Sequence, residues 1–250
     1  ALSIVAMIWA CQPNQAGKNL GETNSDAASK VYVAPGQLDE FYAFMSGGFS
    51  GQVSVYGLPS GRLLKVIPVF SVDAEKAYGF NEETKPLLQT SFGFVPWDDS
   101  HHPELSQTTG VPDGRWLFIN GNNTPRIARI DLTTFETAEI IEIPNSGGNH
   151  SSPFTTENTE YVVAGTRFSV PFPQKDVPIG SFKENFKGVL SFIKVNPETG
   201  HMEIAFQILL PAFSYDLAHS GKGKSHGWTF FTSYNTEQAN TLMEANASQF

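Results

Sequence analysis

The sequence predicts an all-β fold of the β-propeller type, with about three and a half blades present in the chain. Three observations carry this: a turn-rich composition, one hairpin pattern that recurs three times, and a further strand ahead of each hairpin. Of 250 residues, 40% are hydrophobic and only 16% are charged, while 22 Gly and 16 Pro supply turns. Such a chain buries a sizeable core, and its composition excludes both disorder and fibrous repeats.

The hairpins are QVSVYGLPSGRLLKVIPV (Gln52 to Val69), RIARIDLTTFETAEIIEIP (Arg126 to Pro144) and VLSFIKVNPETGHMEIAFQI (Val189 to Ile208). Each alternates apolar and polar residues on both sides of a turn rich in Pro, Thr or Gly, the pattern of two paired strands. Their turns open at Gly57, Asp131 and Asn196, roughly 70 residues apart, against roughly 40 to 50 in common propeller repeats. The extra length goes into loops long enough to carry function. The preceding strands are EFYAFMSGG (Glu40 to Gly48), RWLFINGN (Arg115 to Asn122) and EYVVAGTRF (Glu160 to Phe168), so three of a blade's four strands are legible per unit. A fourth unit begins at Trp228 to Tyr234 and has no hairpin after it. The alternative is a β-sandwich whose hairpins merely look alike; the repeated order of strand, loop and hairpin argues against it.

At the start, Ala1 to Ala10 (ALSIVAMIWA) is an apolar run, too short for a membrane span of about 20 residues but suited to the core of a secretory signal. No initiator Met and no basic stretch precede it, so the sequence is read as starting inside that signal. Ile8-Trp9-Ala10-Cys11 has the form of a bacterial lipoprotein cleavage box, with Cys11 as the lipidated residue. The alternative is a buried apolar segment ending in a core cysteine. Residues 1–11 are thus read as signal and lipobox, 12–32 as a polar flexible tether, and 33–250 as propeller. A net charge of −9 disfavours nucleic acid and anionic lipid headgroups as partners. With one cysteine, the chain forms no internal disulfide and no zinc site on paired thiolates. Any metal falls to His and carboxylates.

Asp98-Asp99-Ser100-His101-His102-Pro103 reads as a loop just ahead of a blade. Neighbours on a regular strand point to opposite faces, so His101 and His102 reach one centre only where the backbone turns or where that centre holds several metal ions. Asp99 is placed to accept the second ring N–H of a ligand histidine. Gly147-Gly148-Asn149-His150 occupies the corresponding place in the next unit. Equivalent loops of successive blades converge on one end of the central channel, which brings His150 toward the pair. Read one at a time, each of these histidines also fits a solvated turn. His201 reads as an exposed turn residue, and His219 and His226 flank a flexible basic loop, GKGKS, that lacks the phosphate-loop order. Tyr234 and Glu237 offer oxygen ligands of the kind calcium takes, or a helix cap. Neither a nucleophile elbow nor a dinucleotide fingerprint is present.

These strings together resemble the N-terminal region of nitrous oxide reductase, of the Sec-exported, clade II type. The resemblance rests on SGGFSGQVSVYGLPSGRLLKVIPVFSVD, DDSHHPELSQTTGVPDGRWLFINGNNTPRIARIDL, EIPNSGGNH and SYNTEQANTL, in that order. It implies a seven-bladed propeller carrying a four-copper sulfide cluster, CuZ, followed by a cupredoxin domain with a two-copper centre, CuA. By the same resemblance His101, His102 and His150 are copper ligands, Asp99 supports them, and Glu237 with Tyr234 binds calcium, the remaining ligands lying beyond Phe250. It implies periplasmic reduction of nitrous oxide to dinitrogen and water, with a soluble donor such as a cytochrome and a homodimer pairing CuA of one subunit with CuZ of the other. The fragment alone is expected to be inactive. A noncatalytic propeller lipoprotein and a mononuclear metal hydrolase using the His pair with Asp98 or Asp99 are the competing readings.

Overall fold

The computed structural model describes residues 25–149, 153–173, 175–178, 182–212 and 215–233. A short, exposed helix, α1 (Ser25–Val31), leads into a succession of antiparallel sheets. The first sheet is β1 (Phe41–Ser46), β2 (Gln52–Leu58) and β3 (Leu63–Pro68), joined in chain order. A connecting segment with a two-residue hairpin, β4 (Gln89–Thr90) and β5 (Gly93–Phe94), leads to the second sheet. That sheet is a four-stranded meander of β6 (Ser100–Thr108), β7 (Val111–Gly121), β8 (Arg126–Asp131) and β9 (Glu136–Glu142). The third contains β10 (Phe154–Thr155), β11 (Tyr161–Gly165), β13 (Phe186–Val195) and β14 (Met202–Leu210); the two-residue β12 (Val170–Pro171) pairs with the start of β13 beside the one-turn helix α2 (Phe182–Asn185). A fourth sheet begins with β15 (Tyr215–Ser220) and β16 (Thr229–Ser233).

Period-two alternation explains how these sheets stack. Leu117 and Ile119 of β7, with Ala128 and Ile130 of β8, face Val53, Val55, Ile67 and Val69 of the first unit. Their neighbours Trp116, Phe118 and Ile127 face the other way, against Val162, Ala164, Ile193, Val195 and Met202 of the third. The middle sheet is therefore packed on both faces, and in β7 the run Trp116 to Ile119 is continuously apolar for that reason. The first and third sheets keep Phe41, Tyr42 and Met45, and Phe206, Ile208 and Leu209, exposed. β6 touches β10 and β10 touches β15, while β1 touches β6 and, at the far edge, β3 touches β9. Successive sheets that stack face to face with their first strands gathered along one line make up part of a β-propeller.

All three predicted hairpins are present, as β2–β3, β8–β9 and β13–β14. The strand that sequence reasoning lacked is the innermost one, β6 in the second sheet and β10 in the third. This corrects the placement of His101 and His102: they open β6, on the inner strand, and are not in a loop ahead of it. Pairing of β6 with β7 shifts register between His101 and Glu104 and again between Leu105 and Gln107, which erases the alternation that would have announced a strand. The GKGKS segment is likewise more ordered than predicted. Its 3₁₀ turn, Gly223–Ser225, is held by Glu157, which accepts from the Gly223 amide and lies 2.8 Å from His226 Nδ1.

Candidate metal centre

The geometry at the start of β6 follows from one irregular residue. His102 has φ of +33°, in the left-handed region that an L-residue seldom occupies. That turn of the backbone, together with the register shift after His101, brings both imidazoles to one side, edge to face with centroids 4.3 Å apart. Strained backbone of this kind costs of order 1–3 kcal/mol and persists where its surroundings enforce it. His101 is partly exposed and His102 exposed, so the two rings stand at the mouth of the site.

Beneath them the adjacent carboxylates do different work. Asp98 turns inward and is wholly buried. It accepts hydrogen bonds from the amides of Asp99 (2.7 Å), Asn123 (3.1 Å) and Thr124 (3.2 Å) and from the Thr124 hydroxyl. Arg126 Nη2 lies 3.5 Å from it, and the guanidinium also reaches Thr124 Oγ1 and the Val95 carbonyl and stacks over Phe70. Gly121 is required here, since a Cβ at that position would sit 2.2 Å from Asp98 Oδ2. Asp98 is thus engaged in building the turn after β7. Asp99 points the other way: its Oδ1 is 3.8 Å from His101 Nδ1, beyond hydrogen-bond length, and its Oδ2 accepts from Asn122 Nδ2 at 2.6 Å.

The Gly147–Asn149 segment comes to the same place. Gly147 N–H donates to the Phe168 carbonyl, and the Gly148 carbonyl accepts from Arg167 N–H at 2.7 Å. Gly148 has φ of +118°, and a Cβ there would lie 2.9 Å from the Asn122 carbonyl, so glycine permits both the conformation and the approach. The Asn149 carbonyl accepts from Asn120 Nδ2, and Asn120 pairs with His101 across β6 and β7. The segments bearing His101 and Asn149 therefore meet through one side chain. His150, Tyr234, Glu237 and Cys11 lie outside the described residues.

Sequence reasoning missed the floor of this site: Asn120, Asn122 and Asn149, all buried. Each leaves one amide atom without a hydrogen-bond partner among the described residues, Asn120 Oδ1, Asn122 Oδ1 and Asn149 Nδ2. Unmet buried polar atoms cost about 1–3 kcal/mol each, so water or another bound group has to complete the network here. The only signal was the run Asn120-Gly121-Asn122-Asn123 at a strand end. Two adjacent imidazoles over such a floor fit a metal that prefers nitrogen donors, copper among them. Among the described residues no group of three or more His, Cys, Asp and Glu is close enough to hold an ion.

The other titratable groups lie elsewhere. His201 is exposed and lies 2.7 Å from Glu139 Oε1. His219, on β15, packs edge to face on Phe154. Glu104, further along β6, is pushed above the usual carboxylate range by burial, with Thr155 Oγ1 3.3 Å from its Oε1.

No family model matches the chain. Among curated proteins it is similar to nitrous-oxide reductase of Pseudomonas fluorescens, 36% identical over 87% of this chain and 33% of that protein. The nitrous-oxide reductases of Stutzerimonas stutzeri (34% identical, covering 86% of this chain and 32% of that protein) and Ralstonia nicotianae (30%, 95% and 38%) are similar too. The chain spans about a third of the length of these relatives. Among solved structures, Kuenenia stuttgartiensis Hydrazine Synthase aligns over 68% of this chain and 38% of its own at 16% identity with a TM-score of 0.43, a likeness too slight to bear on fold or function. The resemblance carried by the motifs is therefore met along most of the chain by homologues named nitrous-oxide reductase.

Proposed function

We propose that this chain is the N-terminal part of a reductase that converts nitrous oxide, two electrons and two protons to dinitrogen and water. The observation that carries the reading is the His101–His102 pair, turned to one side by the His102 backbone, in a chain similar to nitrous-oxide reductases over nearly nine-tenths of its length. In this reading His101 and His102, joined by His150, hold copper. The metal, present as a sulfide-bridged cluster of four ions, supplies soft, electron-rich binding to a poorly coordinating substrate.

The chain's own residues serve to hold and orient. Asp99 lies 3.8 Å from His101 Nδ1, and a small approach of the two would let it accept the proton on that nitrogen, leaving the other free to hold copper. Asn122 fixes Asp99, and the Asp98–Arg126 pair fixes the turn that carries Asn122. The hydrolase alternative that takes Asp98 as a ligand finds that carboxylate buried and engaged by Thr124 and Arg126.

The remaining parts of the proposal rest on sequence. Tyr234 and Glu237 contribute to a calcium site. An apolar run ending before Cys11 supports export to the periplasm and a lipid anchor at that cysteine. A cytochrome-like donor and a homodimer complete the electron path.

The test is metal analysis of the full-length protein purified without oxygen, with its visible absorption and its consumption of nitrous oxide from a reduced dye. Bound copper, visible colour and turnover are expected. A colourless protein without copper and without turnover would favour a noncatalytic binding propeller instead.

A further inference from the structure

Asn120 and Asn122 stand two residues apart where β7 ends, and each ties the strand to one of the segments meeting at the site. Asn122 accounts for the first: its amide holds Asp99 Oδ2 at 2.6 Å, and its backbone N–H donates to the Asp99 carbonyl at 2.9 Å. Asn120 accounts for the second: it lies opposite His101 in the β6–β7 register, is fully buried, and donates from Nδ2 to the Asn149 carbonyl. A buried amide in the middle of a sheet is costly to desolvate, and an apolar residue would fill the same space at lower cost. Asparagine offers there the one thing an apolar residue cannot, a donor to a backbone carbonyl of the segment between β9 and β10.

We propose that Asn120 is a positioning residue for the metal centre, its amide N–H setting the separation between the strand that carries His101 and the loop that carries Asn149. The inference rests on the reading above that the histidines at the ends of these segments share one copper centre. Neither Asn120 nor Asn122 touches the metal in this account. Asn120 acts through the backbone of Asn149 and the register of His101, and Asn122 acts through Asp99.

The test uses the full-length protein and the change Asn120→Asp, which keeps the size of the side chain and removes the N–H donor. In the metal-free protein, hydrogen exchange at amides of residues 146–149 and 167–168 should quicken by about 10-fold, because the loop loses its tie to β7. In the copper-loaded protein, resistance to a copper chelator should fall by about 10-fold, and the visible absorption should shift because the ligands are no longer held at the same separation. Should Asn120→Asp fail to fold, Asn120→Ser, which is too short to reach Asn149, serves in its place with the same expectations. A folded variant with unchanged exchange, chelator resistance and spectrum overturns the positioning role. The parallel His101→Ala protein separates the two claims. If it loses copper while Asn120→Asp is unaltered, the positioning role alone falls; if it keeps its copper and spectrum, the metal reading falls and takes this role with it.

Discussion

Removing the Asp98 carboxylate should destabilise the protein more than any other single change around the site. Asp98 and Arg126 are almost completely shielded from water, with side-chain exposures of 0% and 1%. Asp98→Ala leaves the guanidinium buried without its counter-charge, a loss of about 3–5 kcal/mol in comparable buried pairs. It also strips acceptors from the amides of Asp99, Asn123 and Thr124. Those losses overlap with the first and do not simply add to it. Asp98→Asn keeps the shape and one acceptor, so about 1–3 kcal/mol is expected. Urea denaturation of the full-length protein followed by tryptophan fluorescence reads both values, since Trp116 is buried in the core beside this sheet. A drop below about 1 kcal/mol for Asp98→Ala, the range of an ordinary surface change, would refute the claim that this pair anchors the turn after β7.

Two further outcomes are expected. Gly148→Ala places a Cβ 2.9 Å from the Asn122 carbonyl at a left-handed φ, so it should weaken copper retention in a chelator competition while changing the urea midpoint less than Asp98→Ala does; unchanged retention would contradict the close approach of that loop. Burial alone would raise the Asp113 carboxyl, but hydrogen bonds from Arg115, Ser106 and Thr108 outweigh it and hold the group at about 2. Because this pKa lies below its unfolded value of about 3.9, the stabilisation is present above that pH and is lost as pH falls toward 2. Asp113→Asn should therefore lower the urea midpoint at neutral pH, and the difference from the unaltered protein should shrink in acid. An equal difference at both pH values would count against it.

The hairpins were readable because both faces of the middle sheet are packed or alternate regularly, and turn residues punctuate them. β6 was not, because two register shifts and Pro103 break its period just where the histidines stand. The sequence narrowed the chemistry to His101, His102 and His150 and stated the condition for the first two to meet, a turn of the backbone or a centre of several metal ions. The positive φ of His102 shows how that condition is met. It named Asp99 as the support for a ligand histidine but gave Asp98 no structural role, since that role depends on a distant partner, Arg126, which reaches it only after the chain has folded back. The asparagine floor was invisible for a similar reason. An Asn at a strand end reads as the approach to a turn, and its donation to Asn149 is a long-range fact.

The central claim is that His101 belongs to a copper centre that reduces nitrous oxide. The direct measurement is copper content and nitrous oxide consumption in the full-length protein carrying His101→Ala, beside His201→Ala as the control. His201 is exposed and pairs only with Glu139 among the described residues, and surface pairs contribute about 0–1 kcal/mol, so its loss should leave copper and turnover as they were. His101→Ala is expected to abolish turnover and lower bound copper while the protein stays folded. Full copper and full turnover in the His101→Ala protein would contradict it.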